Sequence, residues 1–170
     1  MKTFKLNSER SNVVGQSGDF NSHSSMMIAE QGIHDIKALT QYAPILLSDD
    51  EPQITRLYEA LMARVGLRTV SVPEGNLAQD YLLYNPVSLV ISDLMKPHFT
   101  GLDLLKVLRQ NPATTDVPFI IITATPDYES RLAFKALAGD VYLTKPIDAR
   151  QLTQTVTQLL STQLSKQLAQ

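Results

Sequence analysis

Four short apolar runs in this chain each end in a residue able to do chemistry. Ile45-Leu-Leu-Ser48 runs into Asp49-Asp50, Val87 to Ser92 into Asp93, Phe119-Ile-Ile-Ile122 into Thr123, and Val141-Tyr-Leu-Thr144 into Lys145-Pro146. If the runs are buried strands of an open α/β sheet, their carboxyl ends line the crevice where such sheets bind ligands. Three carboxylates in one crevice repel one another, so the cluster calls for a cation or for retained protons. Carboxylate and carbonyl donors suit a hard ion. Mg2+ fits best, because its sites combine one or two carboxylates with a phosphate. Thr123 would then offer a hydroxyl, and Lys145 a positive charge, to the same anion. Taken singly, each signal has a plainer reading: an Asp-Asp pair after a strand caps a helix, and a lysine before proline sits in a loop. Their coincidence at four strand ends favours a functional site.

The elements that must position these residues alternate from Pro44 onward. Strands are expected at Ile45–Ser48, Thr69–Val72, a run ending at Asp93, Val117–Thr123 and Val141–Thr144. Between and after them, apolar residues at helical spacing mark helices over 53–65, 77–83, 101–109 and 128–137, with a last one starting at Asp148. Gly66 and Asn111-Pro112 supply stops. Strict alternation implies a parallel sheet covered on both faces. With right-handed crossovers this becomes an α/β, flavodoxin-like doubly wound (βα)5 fold, with strand order 2-1-3-4-5. That order makes the first and third strands neighbours, so Asp49, Asp50 and Asp93 meet. The second strand, at the edge, contributes nothing to the crevice.

Flanking segments differ in character. Residues 1–41 form an extension that is expected to be largely disordered, since Ser8 to Ser25 is rich in Ser, Asn and Gly and poor in clustered apolar residues. From Met26 to Tyr42 the loosely helical spacing of Ile28, Ile33, Ile36 and Leu39, broken by Gly32, suits a short helix that docks on the domain. The core unit spans 42–161, and 162–170 prolongs the last helix. Leu152, Val156, Leu159 and Leu160 begin an apolar stripe on that helix that Leu164 and Leu168 carry past the domain, which would suit a partner or dimer helix.

Composition narrows the class. A chain of 170 residues with 44% hydrophobic and 19% charged residues suits one globular domain with an extension. A net charge of -2 provides no basic face for nucleic acid. Without cysteine there is neither a disulfide framework nor a thiolate zinc site. The opening Met1-Lys-Thr-Phe-Lys-Leu6 lacks a signal-peptide core, and no run approaches the ~18 apolar residues of a membrane span. A cytoplasmic protein without membrane attachment is expected.

Four motifs together resemble the receiver domain of two-component response regulators: Ile45-Leu-Leu-Ser-Asp-Asp-Glu-Pro52; Val90-Ile-Ser-Asp-Leu-Met-Lys-Pro97 with Gly101; Ile121-Ile-Thr-Ala124; and Tyr142-Leu-Thr-Lys-Pro146. The resemblance covers roughly Pro44 to Ser161. It implies that Asp93 is the phosphoacceptor and that Asp50, Asp93, Asp49 through a water, and the Met95 backbone carbonyl hold Mg2+. It also implies that Thr123 is the switch hydroxyl, Lys145 pairs with the phosphate, Tyr142 is the aromatic that turns on activation, and Lys145-Pro146 is cis. A histidine kinase or histidine phosphotransfer protein would supply the phosphoryl group. A downstream effector protein would read the face made by the fourth helix, fifth strand and fifth helix of the alternating unit, which could also mediate a homodimer. Such a chain catalyses only its own phosphorylation and dephosphorylation.

Two departures stand out. Lys96 occupies a place where the family usually carries methionine, and it is expected to extend to solvent rather than compete with the metal. Gly139 falls one residue later than the usual glycine, leaving Ala138 where a positive φ is often needed. Met95 and Thr125, flanking the entry for hydrolytic water, cannot orient it as an acid or amide would, so a long-lived phosphoryl group is expected. Two other classes fit less well. An aspartyl-phosphate hydrolase would repeat an acid where Met95 stands. A scaffold that dimerises without phosphorylation would have no need of the full set of pocket residues.

Overall fold

Three consecutive strands of the computed structural model, which describes residues 19–169, are buried on both faces. They are β1 (Ile45–Ser48), β3 (Leu89–Asp93) and β4 (Phe119–Thr123), flanked by the half-buried edge strands β2 (Thr69–Val72) and β5 (Val141–Thr144). All pairings are parallel and the order is β2-β1-β3-β4-β5. This is the flavodoxin-like arrangement expected from the alternation. The near-continuous Ile, Leu and Val of the central strands follow from having no solvent face.

The helices are α1 (Asp19–Tyr42), α2 (Pro52–Arg64), α3 (Gly75–Tyr84), α4 (Gly101–Gln110), α5 (Tyr128–Ala136) and α6 (Ala149–Leu168). Alternate strand residues feed two cores. On one face Ile45, Leu47, Leu89, Ile91, Ile120 and Ile122 meet Tyr58 and Met62 of α2 and Leu152, Val156 and Leu160 of α6. On the other, Leu46, Val90, Phe119 and Ile121 meet α3 and α4 through Ala78, Leu82, Leu104, Leu105 and Leu108, with Phe134 of α5. Helix starts are fixed locally: a capping box joins Thr100 and Asp103, and Asp127 and Asp148 accept from the Ser130 and Gln151 amides.

The N-terminal segment departs from expectation. Helix α1 begins at Asp19, before the Met26 at which the sequence places the start of a helix. The expectation of disorder for residues 1–18 lies outside the described residues. The physical reason is docking at the far end of α1. Ile36 is buried, Leu39 packs on the α2/α6 core, and Thr40 Oγ1 accepts the Arg68 amide at 3.2 Å while Arg68 Nη1 donates to the Gln41 carbonyl. Once one end of a helix is anchored, each further turn avoids the cost of nucleation.

This helix also answers what the long α6 stripe faces. Helices α1 and α6 lie against each other, and Leu160 and Leu164 join the cluster that contains Ile36 and Leu39. The stripe is therefore covered as far as Leu164, whereas Leu168 is exposed.

The α5–β5 turn shows why Ala138 is strained. Ala138 has φ +54°, its N–H bonds the Lys135 carbonyl, and the Gly139 N–H bonds the Phe134 carbonyl. These two bonds form a Schellman closure, whose left-handed position is usually glycine. Gly139 is required for space: a Cβ there would lie 2.1 Å from the Phe134 ring. Arg109 ties the turn down, with Nε and Nη2 on the Ala138 carbonyl and Nη2 paired with Asp140 at 3.1 Å.

Candidate functional site

Because the strands are parallel, the ends of β1, β3, β4 and β5 open onto one edge. There Asp49, Asp50 and Asp93 bring carboxylate oxygens within 4.8 Å of one another, the one such acidic cluster among the described residues. Asp49 and Asp93 are buried and Asp50 is exposed. Local turns aim them. The Glu51 amide donates to Asp49 Oδ1 at 2.9 Å, and the Met95 amide to Asp93 Oδ1 at 3.1 Å. Helix α4 starts so close to β3 that a Cβ on Gly101 would lie 2.5 Å from the Asp93 carbonyl oxygen, which accounts for the glycine in that motif.

Lys145 spans the crevice. Its Nζ donates to Asp93 Oδ2 and Glu51 Oε1, each at 3.0 Å, and to Asp49 Oδ2 at 3.2 Å. Burial disfavours this ammonium, but its hydrogen bonds to Asp93 and Glu51 and the charge of Asp49 outweigh that cost and hold its pKa above the ordinary lysine range. Asp49 fares differently. Burial pushes its carboxyl upward despite the Glu51 amide and Lys145, because it sits deeper than its partner. Lys145-Pro146 is cis.

Thr123 is fully buried at the end of β4, one residue beyond the Asp93 cross-strand partner Ile122, and its Oγ1 accepts the Thr125 amide at 3.2 Å. Tyr142 lies on β5 in edge contact with Phe134, ring centroids 5.5 Å apart, and Arg131 stacks over it at 4.5 Å. Its hydroxyl is buried and finds no hydrogen-bond partner among the described residues. Met95 extends outward and is 61% exposed. Asp49, Asp50, Asp93, Lys145 and Thr123 thus converge on one edge, and Tyr142 sits further back along β5.

Lys96 contradicts its expectation. It does not extend to solvent but turns inward, only 6% exposed. Its Nζ donates to Ser48 Oγ at 2.6 Å, Ser92 Oγ at 2.8 Å and the Ser48 carbonyl at 3.3 Å. Burial lowers its pKa to about 8, with the charges of Asp93, Asp49 and Asp50 pulling the other way. The reason for the turn is the seat itself. Ser48 and Ser92 are register partners on adjacent strands and offer hydroxyls in an otherwise apolar layer.

Sequence reasoning missed Ser48, Ser92 and Glu51. The available signal was a serine immediately before each strand-end aspartate, and an acid directly after the Asp-Asp pair.

Known proteins share the sequence pattern and the fold of this chain. Residues 45–157 match the family model described as response regulator receiver domain. The chain is 34% identical over 116 residues to the transcriptional regulatory protein GltR of Pseudomonas aeruginosa, covering 68% of this chain and 48% of that one. It spans about half the length of the curated relatives it matches. Among solved structures, the signal receiver domain of a histidine kinase from Syntrophus aciditrophicus superposes with TM-score 0.66 at 27% identity, covering 71% of this chain and 91% of that one. A sensor histidine kinase receiver domain from Pseudomonas aeruginosa, described with a magnesium ion coordinated in its active-site cleft, gives TM-score 0.64 at 23% identity, covering 69% and 97%. No helix among the described residues is long and apolar enough to cross a membrane. From its strand-end chemistry, its topology and its match over 45–157, this chain belongs to the response regulator receiver domains of two-component systems.

Proposed function

We propose that Asp93 accepts a phosphoryl group from the phosphohistidine of a histidine kinase or phosphotransfer protein, and that the change is read by a protein partner. The observation that carries this reading is the pairing of the buried Asp93 with Lys145 at 3.0 Å beside two further carboxylates. An Asp93 oxygen attacks phosphorus in line. As the O–P bond forms, the P–N bond breaks and its electron pair returns to the imidazole. The transition state is loose, so the residues contribute position and charge rather than covalent chemistry. Lys145, held by acids on both sides, is already aimed at the oxygens that gain charge.

The acidic cluster suits a hard divalent cation in its donor type, since it gathers three carboxylates with oxygens within 4.8 Å of one another. Asp50, Asp93 and the Met95 carbonyl would hold it, with Asp49 reaching it through water. When bound, Mg2+ supplies positive charge that offsets the phosphoryl oxygens.

Thr123 would turn its hydroxyl to a phosphoryl oxygen, releasing the Thr125 amide that it now accepts. Tyr142, whose hydroxyl lacks a partner, would rotate into the space vacated, altering the surface of α5, β5 and α6. An effector or a second copy would bind there, where Tyr128 and Leu132 are exposed. Since α1 covers the α6 stripe as far as Leu164, that face is a better dimer candidate than the C-terminal helix.

Intact mass after incubation with Mg2+ and a small phosphodonor tests the reading. One added phosphoryl group, absent in Asp93→Asn, is the expected result; an unmodified wild-type chain would overturn it.

A further inference from the structure

Lys96 places a second ammonium beneath the carboxylate cluster, and nothing in the reaction outlined above uses it. All its hydrogen-bond partners are neutral: Ser48 Oγ, Ser92 Oγ and the Ser48 carbonyl. Unlike Lys145, it spends none of its charge on a direct ion pair. Its seat lies one residue behind the site on each strand, since Ser48 precedes Asp49 and Ser92 precedes Asp93, and the two serines are register partners. At 6% exposure little water screens it. With Asp49, Asp50, Asp93 and Glu51 ionised, Lys145 and Lys96 together leave two net negative charges, where Lys145 alone would leave three.

Resting on the phosphoacceptor reading of Asp93, we propose that Lys96 is an interior cation that sets the charge balance of this pocket, weakening divalent-cation binding and strengthening binding of the phosphoryl anion. The two effects have opposite signs because one fixed positive charge acts on ligands of opposite charge. A packing role has no such signature: loosening the loop that carries Met95 and Lys96 would weaken both ligands together. Ser48 and Ser92 serve the same end, since a protonated lysine stays buried only where its donors are satisfied. The pocket therefore needs more Mg2+ to fill than a receiver without this lysine, and holds the phosphoryl anion more tightly once the metal is in place.

The test uses the whole chain and two neutral variants, Lys96→Met, which restores an apolar side chain of similar length, and Lys96→Gln, which keeps hydrogen-bonding capacity for the serines. Calorimetric titration with Mg2+ alone is followed by titration with beryllium fluoride at saturating Mg2+, and thermal unfolding in chelator checks that each variant folds. Both variants should bind Mg2+ about tenfold more tightly than wild type, and beryllium fluoride several-fold more weakly, as expected for one partly screened unit charge. Weaker binding of both ligands, or Mg2+ affinities within twofold of wild type, would overturn the proposal while leaving Asp93 as phosphoacceptor intact. A wild-type chain that neither binds Mg2+ nor gains a phosphoryl group would instead remove the reading on which it rests. If Lys96→Met fails to fold, Lys96→Gln alone decides.

Discussion

Lys145 Nζ sits 3.0 Å from Asp93 Oδ2, joining the end of β5 to the end of β3 across the intervening strand β4. The same ammonium holds Asp49 and Glu51, so one side chain organises the acids of two loops. Replacing it separates its two duties. Lys145→Ala should slow phosphorylation of Asp93 by roughly 100-fold, because charge stabilisation of the transferring group is lost. It should also tighten Mg2+ binding, because Asp49 and Asp93 lose their counterion. A mass time course with phosphodonor and a Mg2+ titration check both; an unchanged rate would remove Lys145 from the reaction.

Phosphoryl lifetime depends on what flanks the entry for water. Met95 is 61% exposed and Thr125 is also exposed, and neither carries an acid or amide. The aspartyl phosphate should persist well beyond seconds. Met95→Asn should shorten that lifetime by about tenfold by giving the attacking water a hydrogen-bond partner. Loss of the added mass after donor removal measures it.

At the α5–β5 turn, Ala138 holds φ +54°. Ala138→Gly should stabilise the fold by about 1 kcal/mol, since a Cβ in the left-handed region costs that much. Gly139→Ala should destabilise by more, because its Cβ would strike the Phe134 ring. Urea unfolding monitored by circular dichroism distinguishes the two. A destabilised Ala138→Gly would show that the strain is offset by contacts of the methyl group.

Helix α1 is part of the folded unit. Ile36 is 2% exposed between α1 and the α2/α6 core, so Ile36→Ala should cost about 2–4 kcal/mol in one cooperative transition. A separate early transition, with the main one unmoved, would mean that α1 melts independently of the receiver core.

Much of this was legible in the sequence because it depends on local pattern. Alternation of apolar runs and helical spacings is enough to name a parallel sheet, and the crossover rule then selects β2-β1-β3-β4-β5. That order, with Asp49-Asp50, Asp93, Thr123 and Lys145 each just past a buried run, places the candidate site without coordinates. Even the strained Ala138 could be anticipated, since the displaced Gly139 leaves a left-handed position without its usual residue.

Contacts between distant segments were decided only by the tertiary structure. A lysine before proline reads as a solvent-seeking side chain, because a sequence shows the cost of burying an ammonium but not the register that brings Ser48 and Ser92 together to receive it. The stretch from Met26 to Tyr42 reads as only loosely helical, because local composition cannot show that Ile36, Leu39 and Thr40 dock against α6 and the Arg68 backbone. In both cases the missing quantity was a non-local partner. Sequence alone determined which polar and charged groups this protein places at its strand ends; folding decided which charges stand beside them, and so how the acidic pocket is balanced.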